Sequence, residues 1–239
     1  MKTHVPYGMP LLDNYTMCPL RREGFFRLMT DDSLRAFEKV RFTSWYPDGA
    51  VLFVEGQVPR GAYMLCQGRV KQIMASSEGK TIIMRVAEAG ELLALDSVVS
   101  GKAHGVTTET LQPCQVDFVR REDFLKLLHE YPDIAASVIQ QFSNYYRGAC
   151  QQIRCLGLST SADEKLASFL LESARQGQET QRGLRFSLSL THEEIAQIVG
   201  LTRESITRTF AEFRHQSLIA TQGASVLICN KSALEKMVV

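Results

Sequence analysis

The spacing of apolar residues changes character twice along this chain. Residues 1–30 follow no regular period and predict no element. Asp32 to Val40 has the spacing of a short helix. From Phe42 to Val119 the chain turns to brief apolar runs such as Val51–Val54, Ala62–Cys66, Val70–Ile73 and Thr81–Met84. Glycines at 56, 61, 68, 79, 90 and 101 punctuate this stretch at the interval of an all-β sandwich or barrel. After Arg120 the period becomes helical, with one short helix to His129 and a second opening at Pro132, where the missing N–H costs nothing. Ile139, Phe142, Tyr146, Ala149, Ile153 and Leu156 then follow alternating steps of three and four, a heptad seam. A helix from Pro132 to Leu156 would be about 37 Å long at 1.5 Å per residue. Its seam needs cover, either from the β-region of the same chain or from a second copy in a two-fold coiled coil.

Gly157 to Ser161 is small and polar, a natural hinge. Ala162 to Ala174 is helical again, and Gln176 to Gly183 reads as a polar loop. The most informative pattern follows. Thr191 and Glu194 have capping-box spacing, and Ile195, Ile198 and Val199 give the ensuing helix an apolar stripe. Gly200 can end that helix at positive φ, and Thr202 can cap another. Ile206 and Phe210 fall on the buried side of the second helix. Arg203, Glu204, Thr207 and Arg208 fall on the other side. Ala220 to Cys229 reads as a hairpin turning at Gly223. A helix, a tight turn, a second helix and a wing make up a winged helix-turn-helix, built to present a helix to the DNA major groove.

Composition narrows the picture without deciding it. Among 239 residues, hydrophobic content is 45% and charged content 22%, ordinary for a globular protein. No apolar run has transmembrane length and no signal-peptide pattern opens the chain, so the expected location is the cytoplasm, with no membrane partner. Cysteines at 18, 66, 114, 150, 155 and 229 form no Cys-x-x-Cys pair, which argues against a zinc site and a disulfide framework. Net charge is +1, and residues 159–239 carry nine positive and nine negative side chains. DNA affinity must therefore come from local placement of charge and from two copies acting together.

The order of these elements, with Ile195-Ala-Gln-Ile-Val-Gly-Leu-Thr-Arg-Glu-Ser-Ile-Thr-Arg at its most specific point, resembles the Crp/Fnr family of bacterial transcription regulators. The resemblance covers about residues 30–235. It implies an α+β architecture: an N-terminal double-stranded β-helix (jelly-roll) sensor domain, a long dimerisation helix and a C-terminal winged helix-turn-helix. The expected boundaries are 1–120, 121–157 and 158–239. The implied function is that of a homodimeric, allosterically controlled regulator of transcription, with double-stranded DNA and RNA polymerase as partners. Arg203 and Arg208 would donate to guanine O6 and N7, and Glu204 would accept from a cytosine amino group in a TGTGA-like palindrome. A solvated Glu204–Arg208 ion pair is the bland alternative. Thr191 and Thr202 are placed either to touch phosphate or simply to cap.

The effector stays unidentified. In cyclic-AMP-binding members a Gly-Glu-Leu and an Arg-Ser pair hold the nucleotide. This chain has Gly90-Glu91-Leu92, but His104-Gly105 at the Arg-Ser place. A mostly neutral histidine does not replace a bidentate arginine, so the sequence argues against cyclic AMP. Leu95 to Gly101 looks like a loop of the oxygen-sensing branch, which holds a [4Fe–4S] cluster. Only Cys18 and Cys114 match its four ligands. They are either a redox pair or two small buried hydrophobes. Haem stays open, with His104 and His129 as candidate ligands. A metal-dependent jelly-roll enzyme would need clustered histidines, and the β-region offers only His104. A protein-binding adaptor using the winged helix is the remaining alternative.

Overall fold

A computed structural model describes residues 6–22, 24–175 and 177–238. The chain divides into two compact units, Met1–Arg147 and Gly148–Val239. The division falls inside one helix.

The first unit opens with short 3-10 helices at Pro6–Gly8, Pro19–Arg22 and Gly24–Leu28, none of which periodicity announces. Helix α1 (Asp31–Val40) is capped by Thr30 and carries Asp31 and Asp32 in its first turn, where the helix dipole favours them. The strands are β1 (Arg41–Tyr46), β2 (Val51–Phe53), β3 (Gly61–Gln67), β4 (Arg69–Ala75), β5 (Thr81–Glu88), β6 (Leu92–Leu93), β7 (Thr107–Thr110) and β8 (Cys114–Arg120). They form two four-stranded antiparallel sheets, ordered β1-β8-β3-β6 and β2-β7-β4-β5. Both sheets contribute to one core, which includes Phe53, Met64, Val70, Ala87, Leu92 and Val116. The run Leu95–Ser100, expected as a loop, is helix α2, closed by Gly101 at φ 72°. Its Leu95 and Val98 are buried three apart, a spacing that a loop would not exploit.

An arm of chain before α1 is pinned to this β-roll by side chains. Gln115 accepts from Leu12 N–H at 2.9 Å and donates to its carbonyl at 2.7 Å. Gln67 donates to the Pro10 carbonyl, and Arg41 donates to the Asp13 carbonyl. Tyr15 and Asp117 are fully buried. The tyrosine hydroxyl and the Arg41 guanidinium both donate to the same Asp117 oxygen.

Helix α3 (Arg121–Glu130) precedes α4 (Pro132–Gly157). Within the first unit α4 buries Ile134, Val138 and Gln141. The expected seam divides by environment. Ile139, Tyr146 and Ile153, one heptad apart, are 69%, 73% and 67% exposed. Phe142, half-buried, packs against the core of its own β-roll, and Ala149 and Leu156 are half-buried too.

In the second unit, α5 (Ala162–Ser173) is capped by Ser161. The expected loop at 176–183 is in part a hairpin: β9 (Gln178–Thr180) pairs with β10 (Gly183–Ser187). An edge strand made of Gln, Glu and Thr is held by backbone pairing and leaves no apolar alternation to read. Gln176 lies outside the described residues. β11 (Ile219–Gln222) and β12 (Ser225–Ile228) form the wing around Gly223 and complete a sheet ordered β11-β12-β10-β9. A last helix, α8 (Lys231–Met237), starts at Asn230.

Candidate nucleic-acid interface

Helix α6 (His192–Val199) starts at Thr191, and its capping box is complete. Glu194 N–H donates to Thr191 Oγ1 at 3.2 Å, and Thr191 N–H donates to Glu194 Oε2 at 2.9 Å. Gly200 ends the helix at φ 68°. A Cβ there would stand 2.7 Å from Leu156 Cδ2, so glycine is required both by conformation and by space. Thr202 caps α7 (Arg203–His215), its Oγ1 accepting from Ser205 N–H at 3.2 Å. Both threonine hydroxyls are thus engaged in capping.

Ile206, Thr209, Phe210 and Phe213 bury one side of α7, in a core shared with Ile195, Ala196 and Val199 of α6. The opposite side presents Arg203, Glu204, Thr207 and Arg208, which together with Ala211 line a shallow open groove. The Glu204–Arg208 ion pair, the alternative to base reading, is not formed. Among the described residues, Arg203, Glu204 and Arg208 make no ion pair and no side-chain hydrogen bond, so their donors and acceptors are available to a ligand. Two guanidinium donors and one carboxylate acceptor are thus offered on the first two turns of one braced helix.

One member of this surface was invisible to motif reading. His192 Nδ1 lies 2.9 Å from Thr207 Oγ1, and its ring stacks on Phe210 with centroids 4.9 Å apart. Burial, then Arg214 and Arg203, hold its pKa below the usual histidine range. Fifteen residues separate His192 from Thr207, so only tertiary packing brings them together.

The residues singled out for effector binding are used internally. Glu91 Oε2 accepts from Arg85 Nη1 at 2.5 Å, and Oε1 accepts from Glu88 N–H at 2.8 Å. Arg85 Nε donates to Gln72 Oε1 at 2.7 Å, and its guanidinium lies 3.9 Å from the Tyr145 ring centroid. Gln141 and Tyr145 both donate to the Leu92 carbonyl, at 2.6 and 3.0 Å. Glu91 is therefore the anchor of a network joining the β-roll to α4. His104 is 5% exposed, stacks on Phe53 and bonds Ser97 Oγ through Nδ1 at 2.8 Å. It is a core residue whose pKa burial lowers, the reverse of what a phosphate ligand needs.

Nor do these residues fit the other groups. Cys114 donates to the Gln112 and Arg69 carbonyls, and burial pushes its thiol up to about 11. Cys18 is buried as well. Among the described residues no three His, Cys, Asp or Glu side chains gather to hold a metal ion. The thiols match the reading as small buried hydrophobes and do not fit a cluster. His129 is exposed at the end of α3, and His104 is committed to Ser97, so neither is set up as a haem ligand. No helix among the described residues is long and apolar enough to cross a membrane.

Comparison with known proteins agrees with this arrangement. Residues 164–237 match the Crp-like helix-turn-helix domain, and residues 43–131 match the cyclic nucleotide-binding domain. The chain is 24% identical over 218 residues to a CRP-like cAMP-activated global transcriptional regulator of Mycobacterium tuberculosis, covering 91% of this chain and 97% of that one. It is 27% identical over 194 residues to the fumarate and nitrate reduction regulatory protein of Escherichia coli, covering 79% and 75%. The fold resembles that of FixK2 from Bradyrhizobium japonicum, with a TM-score of 0.74 and 21% identity over 84% of this chain and 98% of that one. A CooA mutant from Carboxydothermus hydrogenoformans gives a TM-score of 0.72 at 19% identity, over 83% and 88%. With a β-roll that matches the cyclic nucleotide-binding domain and a Crp-like helix-turn-helix, this chain belongs to the Crp/Fnr family of DNA-binding transcription regulators.

Proposed function

We propose that this regulator acts in the cytoplasm as a homodimer that reads a TGTGA-like palindrome. The observation that carries the base-reading is the unpaired set Arg203, Glu204 and Arg208 on the exposed face of α7. Arg203 and Arg208 donate to guanines and Glu204 accepts from cytosine, while Thr207 lies between them on the same face. Near-neutral charge makes one copy a weak binder, and a second copy doubles the phosphate and base contacts. The exposed heptad positions Ile139, Tyr146 and Ile153 support pairing through α4. Two half-sites then lie about 34 Å apart, one turn of duplex.

In this reading residues 1–120 sense, 121–157 pair and 158–239 bind DNA. A small effector of unidentified chemistry shifts the dimer between two arrangements through the β-roll and α4, with a hinge near Gly157. RNA polymerase is the partner through which occupancy becomes transcription. The regulatory role is non-enzymatic, as it is for the relatives' named functions.

Fluorescence anisotropy with a labelled TGTGA palindrome and a scrambled duplex of equal length tests the reading. Preference for the palindrome is expected, and equal affinity for both would refute base recognition.

A further inference from the structure

His192 begins α6 and faces the second turn of α7. The Thr207 hydroxyl has one proton, and it donates that proton to the Arg203 carbonyl at 2.9 Å. Toward His192 Nδ1 the same oxygen can only accept, so the imidazole must carry its proton on Nδ1. The neutral ring is then left with a bare Nε2, which makes no hydrogen bond among the described residues. Stacking on Phe210, at an interplanar angle of 15°, fixes the plane of the ring.

We propose that His192 is a proton-dependent member of the DNA-binding surface. Its Nδ1–H positions Thr207 on the reading helix, and a proton on Nε2 converts the ring from an acceptor that repels phosphate into a cationic donor that binds it. The inference rests on the DNA-reading role proposed for α7.

Burial sets the direction, and the charged neighbours reinforce it. Arg203 and Arg214 on α7 disfavour a positive ring, as does the N-terminus of α6 itself. Glu193 and Glu194 follow on the same helix, and Glu194 is committed to the capping box. With burial first and the arginines after it, the free protein holds the ring neutral near pH 7. Phosphates of a bound duplex favour the charged ring and raise its pKa. Binding therefore takes up a proton between the depressed free value and the raised bound value, and affinity increases as pH falls through that window.

Two measurements on the full chain test this. Long-range proton–nitrogen spectra without DNA should show His192 protonated on Nδ1, and Thr207→Val should return it to the Nε2 form. An Nε2–H ring in the unaltered protein would overturn the positioning role. Anisotropy at constant salt should show affinity rising between pH 8 and pH 5.5 by about 3- to 10-fold more than in His192→Gln, as expected for one added phosphate contact. His192→Asn, which keeps a donor near Thr207 but does not titrate, should lose the same increment. Parallel pH profiles in all three proteins would overturn the contact. Because phosphate is common to all duplexes, the increment should appear on scrambled DNA too. A protein that fails to prefer the palindrome yet keeps this increment would refute base reading and leave the role of His192 standing.

Discussion

Gln141 on α4 and Leu92 on β6 exchange two hydrogen bonds. The Leu92 N–H donates to Gln141 Oε1 at 3.1 Å, and Gln141 Nε2 donates to the Leu92 carbonyl at 2.6 Å. Both residues are buried, so the pair has no water to fall back on. Leu92 follows Glu91, the anchor of the Arg85–Tyr145 contact, and Gln141 precedes Phe142 on the expected seam. Movement in this β-roll turn must therefore move α4 or break these bonds. Gln141→Leu should lower stability by about 1–3 kcal/mol, the cost of a buried donor left unsatisfied, as read by urea unfolding.

Pairing through α4 makes a separable prediction. Ile153 is 67% exposed in the single chain, so Ile153→Glu should leave its fold intact while charging the seam. Light scattering should report a monomer with unchanged circular dichroism, and affinity for the palindrome should fall. A variant that stays dimeric would place the pairing surface elsewhere.

The reading helix is tested one side chain at a time. Arg203→Ala and Arg208→Ala should each cost about 1–3 kcal/mol of affinity for the palindrome and much less for scrambled DNA. Glu204→Gln should relax the requirement at one base pair while raising non-specific affinity. Duplexes substituted at successive positions would identify that base pair.

The β-roll should lose stability in mild acid through His104. Burial lowers its folded pKa against an unfolded value of about 6.5, so the unfolded chain binds the extra proton first. The contribution is present above the unfolded value, declines as pH falls through about 6.5, and is lost once pH passes below the folded pKa. His104→Asn should flatten that part of the melting-temperature profile, and an unchanged profile would exclude the buried neutral ring.

Gly200 should tolerate no side chain. Gly200→Ala would combine φ 68° with a Cβ 2.7 Å from Leu156 Cδ2, at a cost of about 1 kcal/mol for the backbone and more for the contact. Thermal unfolding of the variant, with DNA binding read alongside, would show both losses.

How much was legible in advance follows from where each feature's cause resides. The helix-turn-helix was readable to the residue because its signals are local: a capping box at Thr191 and Glu194, glycine at 200 and a second cap at Thr202. The wing announced itself by Gly223 between apolar pairs. By contrast, β9 is polar and marginal, and Leu95–Ser100 is a single turn and a half whose helicity depends on burial. Sequence matching made Glu91 and His104 candidates for an effector, but it carries no information about which way a side chain faces. Arg85 and the Glu88 N–H engage Glu91, and Phe53 and Ser97 hold His104 in the core. The pairs Arg85–Tyr145 and His192–Thr207 are tertiary, and no spacing rule could nominate them.

The pinned arm changes where an excised sensor fragment can begin. The matched cyclic nucleotide-binding region starts at residue 43, yet Arg41 and Tyr15 lie upstream of it and supply the partners of the Asp117 carboxylate. A fragment trimmed to that match would lose both partners of the Asp117 carboxylate, along with Phe26 and Phe37 from the same core. Cutting before Pro10 keeps the acid, its cation and its phenol in one piece.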